Sequence, residues 1–320
     1  MISGINILSI FWIFSSIAII CTHMLLTLKS NLNKFEKTLN KFFLFGKFKN
    51  RFLLQENDGI FSQKGLFYGL VSIPKSWFKH FYVSGIIMHS ISFIMLALYL
   101  LNCSSGQLLK HLQYWIIWLG ITSNHDREFE DCALPMVMVF IFEWIQISRR
   151  LYECFYVSSF SKSTISFIHY FYGIFLYCSF GFGLVASVPV EKLNFSTPNV
   201  LETVRYILAI AIFCWSSHFQ HKSMLTFAAL RLDQKDKQPS GHFIPHGHLF
   251  DIVTSPHFLC EIVIYLTHCL VFRFNNTYLF SVALFVVTNQ VVASWNAHKW
   301  YKETYPNYPA QRKALIPYVW

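Results

Sequence analysis

Histidine is the first chemistry-bearing residue to stand out, with 14 in 320 positions. His242, His246 and His248 share one segment, and His218 and His221 lie together upstream. Clustered imidazoles at a membrane face can hold iron, as in membrane di-iron oxygenases. Such centres need several HxxxH and HxxHH groups with carboxylates, and here only HxxxH occurs, once, from His242 to His246. Solvated loop histidines are the simpler account, and no metal is expected. Glu143 and Glu261 are more telling, because both sit inside apolar stretches. A carboxylate buried there without a partner is costly. Each is a site carboxylate or half of a structural pair. Glu143 precedes Arg150 by two turns of one helical face, too far for a direct local pair. Arg149-Arg150-Leu-Tyr-Glu153 offers a phosphate-binding guanidinium, with Arg150 the candidate, or anchors the chain at a membrane surface. No Gly-rich loop follows a strand, so a Rossmann domain is unsupported. Any dinucleotide must be gripped between helices and loops by Arg, Lys, His and Tyr.

The elements that position these groups follow from composition. Apolar residues make up 54% and charged residues 13%, about half the charge of an ordinary soluble domain. Disorder is excluded, and too few charges remain to cover a soluble surface. The net charge of +10 would suggest nucleic acid on a soluble protein. Here the basic residues are confined to a few segments between apolar runs, so the expected partner is a bilayer and not a nucleic acid. Seven apolar stretches can be marked, at 5–28, 81–101, 133–147, 165–190, 204–215, 258–272 and 278–295. A crossing helix needs about 20 residues. The third, fifth and sixth are short or carry polar residues, so they must extend into polar sequence, tilt, or line an interior site. The expectation is an all-α polytopic membrane protein with about seven transmembrane helices.

Sidedness comes from charge. The first stretch has no basic n-region and no small-residue cleavage site, so it reads as a span and not a signal peptide. Seven basic residues from Lys29 to Arg51 follow it, which places that loop in the cytosol and the N-terminus in the lumen. Alternation then makes 29–80, 148–164, 216–257 and the tail after 295 cytosolic, and these hold most of the remaining Lys and Arg. The sequons at Asn102, Asn194 and Asn275 all fall in the opposite, lumenal loops. Eight cysteines are scattered without CxxC or zinc spacing. Cys103 and Cys132 share one lumenal loop and either pair or stay as buried thiols.

Along the chain, 1–72 reads as a first span with a basic, Phe-rich cytosolic loop that includes an interfacial amphipathic helix. Residues 73–320 read as the main bundle. The loop 102–132 holds an apolar piece, 114–121, suited to the membrane surface. Segment 231–250 reads as a cytosolic loop. The tail 296–320 is too aromatic for disorder and is expected to fold back on the bundle.

The C-terminal third, about 164–320, resembles the steroid 5α-reductase family. The resemblance rests on Gly247-His-Leu-Phe-Asp-Ile-Val-Thr-Ser-Pro-His257-Phe-Leu-Cys-Glu261-Ile and on His298-Lys-Trp-Tyr301 through Tyr308-Pro-Ala-Gln-Arg312-Lys-Ala-Leu-Ile-Pro-Tyr-Val-Trp320. Weaker matches at Ile73–Tyr82, Arg149–Ser161, Phe219–Arg231 and Asn289-Gln290 extend it over roughly 73–320 and point to the branch acting on polyprenoid lipids. The resemblance implies a seven-helix endoplasmic-reticulum reductase that holds NADPH on the cytosolic side and takes a long-chain polyprenoid from the bilayer. Carried over by position, Gln220, Arg231, His257, Glu261, His298, Tyr301 and Arg312 line the cofactor site. Two departures matter. The family usually has Asn where this chain has His257, which still donates one hydrogen bond. The Glu and Tyr with which the steroid-acting branch handles its enone are missing from the third span, where Ile147 falls, which argues against a steroid as main substrate.

Hydride adds to a carbon–carbon double bond only when that bond is electron-poor, which favours a polyprenal over the allylic alcohol. The reaction then needs a donor at the carbonyl oxygen and a proton at the α carbon. Tyr82 and His80, at the mouth of the second span, are the donor candidates, with Glu143 a further catalytic candidate. Interfacial aromatic anchoring is the competing account of the first two. A seven-helix receptor would share the topology, but its Asp/Glu-Arg-Tyr and Asn-Pro-x-x-Tyr signatures are absent; the seventh span reads Thr288-Asn-Gln-Val-Val-Ala-Ser294.

Overall fold

The computed structural model describes residues 7–28, 72–101, 107–118, 133–158, 160, 164–188, 193–233 and 243–320. The basic loop after the first span, the Cys103–Cys132 pair and the Asn102 sequon lie outside the described residues. Among the described residues, eight α-helices follow in order: α1 Ile7–Leu28, α2 Phe78–Leu100, α3 Gln107–Trp118, α4 Ala133–Tyr152, α5 Phe167–Ala186, α6 Val200–Asp233, α7 Pro256–Val271 and α8 Thr277–Thr304. The strands β1 Ser72–Pro74 and β2 Thr164–Ser166 form one short antiparallel ribbon. The chain is a polytopic all-α membrane protein. Among the described residues, five helices (α1, α2, α5, α6 and α8) are long and apolar enough to cross a bilayer, and α7 is a shorter apolar helix.

Local chemistry sets the helix starts. Asn199 and Glu202 cap α6 reciprocally, each side chain accepting from the other's backbone N–H, at 2.9 Å and 3.1 Å. Asn276 accepts from Leu279 N at 3.0 Å to start α8. Pro256 opens α7, where its missing N–H is harmless. α4 ends in a π-turn at Glu153–Val157, a deviation often found at functional sites.

Two expected loops are corrected. The fifth apolar stretch runs on as helix to Asp233, so 216–233 is helical. The third stretch likewise continues to Tyr152. In both cases the polar extension stays helical because its side chains find buried partners across the bundle. At 34 residues, α6 is about 50 Å long, well beyond a hydrocarbon core of about 30 Å.

α2 packs along α5, α6 along α7, and α1 along α8. Trp12 of α1 is fully buried and meets Phe285 at 4.6 Å. At one end of the bundle Asn276 donates to Ser187 at 2.8 Å and Arg273 pairs with Glu202. The β-ribbon, the π-turn and the C-terminal tail share the other end, which also gathers Arg149, Arg150, Arg231 and Arg312. The tail folds back as expected: Val253 bridges Lys313, Tyr308 is buried, and Trp320 stacks on Trp295 at 5.6 Å.

Close helix approach depends on glycine. A Cβ at Gly173 would strike Phe81, and one at Gly183 would lie 2.1 Å from Tyr278 Cζ. Tyr278 is fully buried and donates to Ser179 O at 3.2 Å, so it has little room to yield. Gly183→Ala is expected to destabilise the bundle by about 1–3 kcal/mol. Thermal unfolding in lipid checks this; an unchanged midpoint would mean that Tyr278 moves aside freely.

Candidate active site

The polar residues of α4 and of the π-turn that ends it recur at helical spacing, Glu143, Gln146, Arg150 and Glu153, with Arg149 beside them. Those of α7, His257, Glu261, Tyr265 and His268, do the same. The two stripes face each other with α6 alongside, and together they form a polar column running from the basic end into the bundle.

At the mouth of the column, Glu153 is fully buried and accepts from Arg149, Arg150 and His221, the last at 2.9 Å. Burial alone would raise its carboxyl, but the guanidiniums of Arg150 and Arg149 outweigh burial and hold it below the ordinary range. Arg149 also donates to Ser217 Oγ at 2.9 Å, to Gln146 Oε1 at 2.6 Å and to Gln220. One turn further in, Gln220 donates to Glu261 and to His257 O at 3.3 Å, and accepts from Gln146 Nε2 at 2.9 Å. Arg150 lies with its guanidinium 5.5 Å from the centre of the Tyr82 ring, an electrostatic neighbour of that phenol. Tyr82 is buried edge-on against Tyr177 at 5.0 Å.

Deeper still, Glu143 lies fully buried, 3.9 Å from His268 Nε2. His80 stands apart from the column, paired with Tyr170 OH at 3.0 Å and set 5.1 Å from the Trp77 ring.

A second cluster organises the C-terminal segment. Thr254 Oγ1 joins His298 Nδ1 at 2.6 Å and Tyr308 OH at 2.7 Å. Tyr301 donates to Phe243 O at 3.2 Å. Arg312 is buried, donates to Pro245 O at 3.0 Å and lies 5.3 Å from the Tyr308 ring. Arg231 is an electrostatic neighbour of both Tyr301 and Lys75. The expected cofactor residues thus fall into two groups at one end of the bundle. Arg150, Gln220, His257 and Glu261 belong to the column; His298, Tyr301 and Arg312 clamp the loop that leads into α7, with Arg231 beside them.

Sequence reasoning did not single out Gln146, Thr254, Tyr265, His268 or Tyr308. The spacing of Gln146 from Glu143, and of Tyr265 and His268 from Glu261, was the available signal. Thr254 and Tyr308 lie on irregular chain, where no periodicity marks them, inside the two stretches that carry the family resemblance.

The donors at the mouth suit an anionic, carboxamide-bearing cofactor. Two guanidiniums sit beside two carboxamides and a carboxylate, and Arg150 Nε is buried without a hydrogen-bond partner among the described residues. Among the described residues, no three His, Cys, Asp or Glu side chains gather as a metal site.

Comparison with known proteins agrees with this architecture. The sequence profile of the 3-oxo-5-alpha-steroid 4-dehydrogenase family matches residues 163–320. The polyprenal reductase of Mus musculus is 30% identical over 262 residues, covering 77% of this chain and 78% of its own. Those of Homo sapiens and Xenopus tropicalis are also 30% identical, covering 77% of this chain and 78% and 80% of theirs. With the terminal clamp, the helical column and these matches together, the chain belongs to the steroid 5α-reductase family.

Proposed function

We propose that this protein is an NADPH-dependent oxidoreductase that saturates the α-isoprene double bond of a polyprenal, on the route from polyprenol to dolichol that serves protein N-glycosylation. The observation that carries this is the column: an arginine–carboxamide grip at the basic end leads straight to buried phenols inside the bundle. The activity for which the relatives are named, polyprenal reduction, fits that geometry. Arg149, Arg150, Gln220 and Glu261 hold the cofactor, with Arg231, His257, His298, Tyr301 and Arg312 shaping the loop over it. When bound, NADPH supplies a hydride to the β carbon.

The chain's own residues supply the rest. Tyr82 donates to the aldehyde oxygen. Its neighbour Arg150 lies 5.5 Å from the ring, and a cation beside a phenol strengthens it as a donor. The isoprenoid tail stays in the bilayer beside the apolar outer faces. The sequons and the basic end support an endoplasmic-reticulum membrane with the N-terminus lumenal and the C-terminus cytosolic.

The test is NADPH oxidation by purified protein in lipid, offered polyprenal, polyprenol and a 3-oxo-4-ene steroid in parallel. Turnover is expected with polyprenal. Turnover with the steroid alone would overturn the substrate, and turnover with polyprenol alone would overturn the aldehyde argument.

A further inference from the structure

Six buried polar atoms in one place have no hydrogen-bond partner among the described residues: both oxygens of Glu143, both ring nitrogens of His268, Tyr265 OH and His89 Nδ1. Their residues are 0%, 1%, 2% and 0% exposed, in that order. Buried polar groups are almost always paired, so a cluster of orphans needs an account. A structural ion pair is a poor one. Such a pair holds its place only with close geometry and full hydrogen bonding, whereas Glu143 and His268 stand 3.9 Å apart with neither satisfied. The Tyr265 hydroxyl faces Glu143 without closing a bond of ordinary geometry. The walls are aromatic: Phe180 lies 6.1 Å from the Tyr265 ring and 5.7 Å from His268. This is a buried cluster of proton-bearing groups against aromatic rings.

Its location gives the occupant. Tyr265 is one helical turn inward from Glu261 on the same face of α7, and both Tyr82 and Glu143 are its electrostatic neighbours. A lipid head held by Tyr82 therefore lies beside this cluster.

We propose that Tyr265, backed by Glu143 and His268, delivers the proton that completes reduction at the α carbon of the lipid aldehyde. The proposal rests on the reductase function above and names its proton source. Once the β carbon has received its hydrogen, the former π pair resides in an enolate. The Tyr265 O–H bond breaks, its proton bonds to the α carbon, and the enolate pair forms that new C–H bond as the carbonyl is restored. The tyrosinate left behind takes a proton through the Glu143–His268 pair. That pair is refilled from water by way of Glu261, which is half-buried at the basic end. Tyr265 is a catalytic residue in this scheme; Glu143 and His268 are relay residues behind it.

The same groups run this step in reverse without any cofactor, which gives a direct test. Saturated polyprenyl aldehyde is incubated with cofactor-free protein in deuterated water, and α-hydrogen exchange is followed by mass spectrometry. Wild-type protein is expected to introduce one deuteron at the α carbon faster than buffer does. Tyr265→Phe is expected to slow that exchange by about 10²-fold with aldehyde affinity unchanged. His268→Gln, a second variant should the first fail to fold, is expected to slow it in the same direction. Exchange at the wild-type rate in folded Tyr265→Phe overturns the proposal. So does a wild-type protein that reduces polyprenal with NADPH yet exchanges no faster than buffer, and in that case the reductase function stands. A folded protein that neither reduces nor exchanges overturns the reductase function itself.

Discussion

Glu153→Ala is expected to destabilise the folded protein by about 3–5 kcal/mol, because it leaves buried guanidiniums without their counter-charge. Glu153 is fully buried and holds Arg149, Arg150 and His221 together. Water cannot replace it, and the two arginines, 15% and 18% exposed in their side chains, would repel each other across the gap. The pH dependence follows from the depressed carboxyl. A group whose folded pKa lies below its unfolded value stabilises fully above the unfolded value, near 4.5, and loses that contribution as pH falls through the folded value. Wild type and Glu153→Ala should therefore differ most at neutral pH and converge in acid. Unfolding midpoints in lipid at several pH values measure this, and equal midpoints at neutral pH would show that the arginines find other partners. Cofactor affinity should fall with stability, since the same two arginines are the proposed grip.

Tyr82→Phe should lower kcat by about 10²-fold, the usual consequence of losing one preorganised donor at a developing oxyanion. The fold should survive, because the ring keeps its contacts with Tyr177 at 5.0 Å and Arg150 at 5.5 Å. KM should change little, since the lost interaction is stronger in the transition state than in the ground state. Steady-state kinetics with polyprenal decide it. A rise in KM at unchanged kcat would make Tyr82 a wall of the pocket and move the carbonyl donor elsewhere.

Much of the architecture was readable from local pattern. The apolar runs that became α1, α2, α5 and α8 needed only length and hydropathy, because a helix satisfies its own backbone whatever surrounds it. The fold-back of the tail was visible in its aromatic content. The extents of α4 and α6 were not visible. Residues such as Gln220 and His221 read as loop until a partner on another helix makes a buried helical position affordable. The buried pairing of Glu153 has the same origin: nothing in Arg-Arg-Leu-Tyr-Glu states that its charges are taken out of water.

The candidate site divides in the same way. Residue types alone marked Glu143, Glu261 and the arginine pair, since ionisable groups in apolar runs are costly wherever they end up. Their grouping was decided by the packing of α4, α6 and α7. That packing joins Arg150, Gln220, His257 and Glu261 in one column and sends His298, Tyr301 and Arg312 to the clamp over α7. It also sets Tyr265 and His268 beside Glu143, with no hydrogen-bond partner for either side chain among the described residues. Composition and periodicity are properties of neighbouring residues, so the chain by itself determined a basic-ended, membrane-spanning helical protein with charges to hide. Which charges meet depends on helix rotation and register, which arise only when distant segments pack, and that the tertiary structure alone decided.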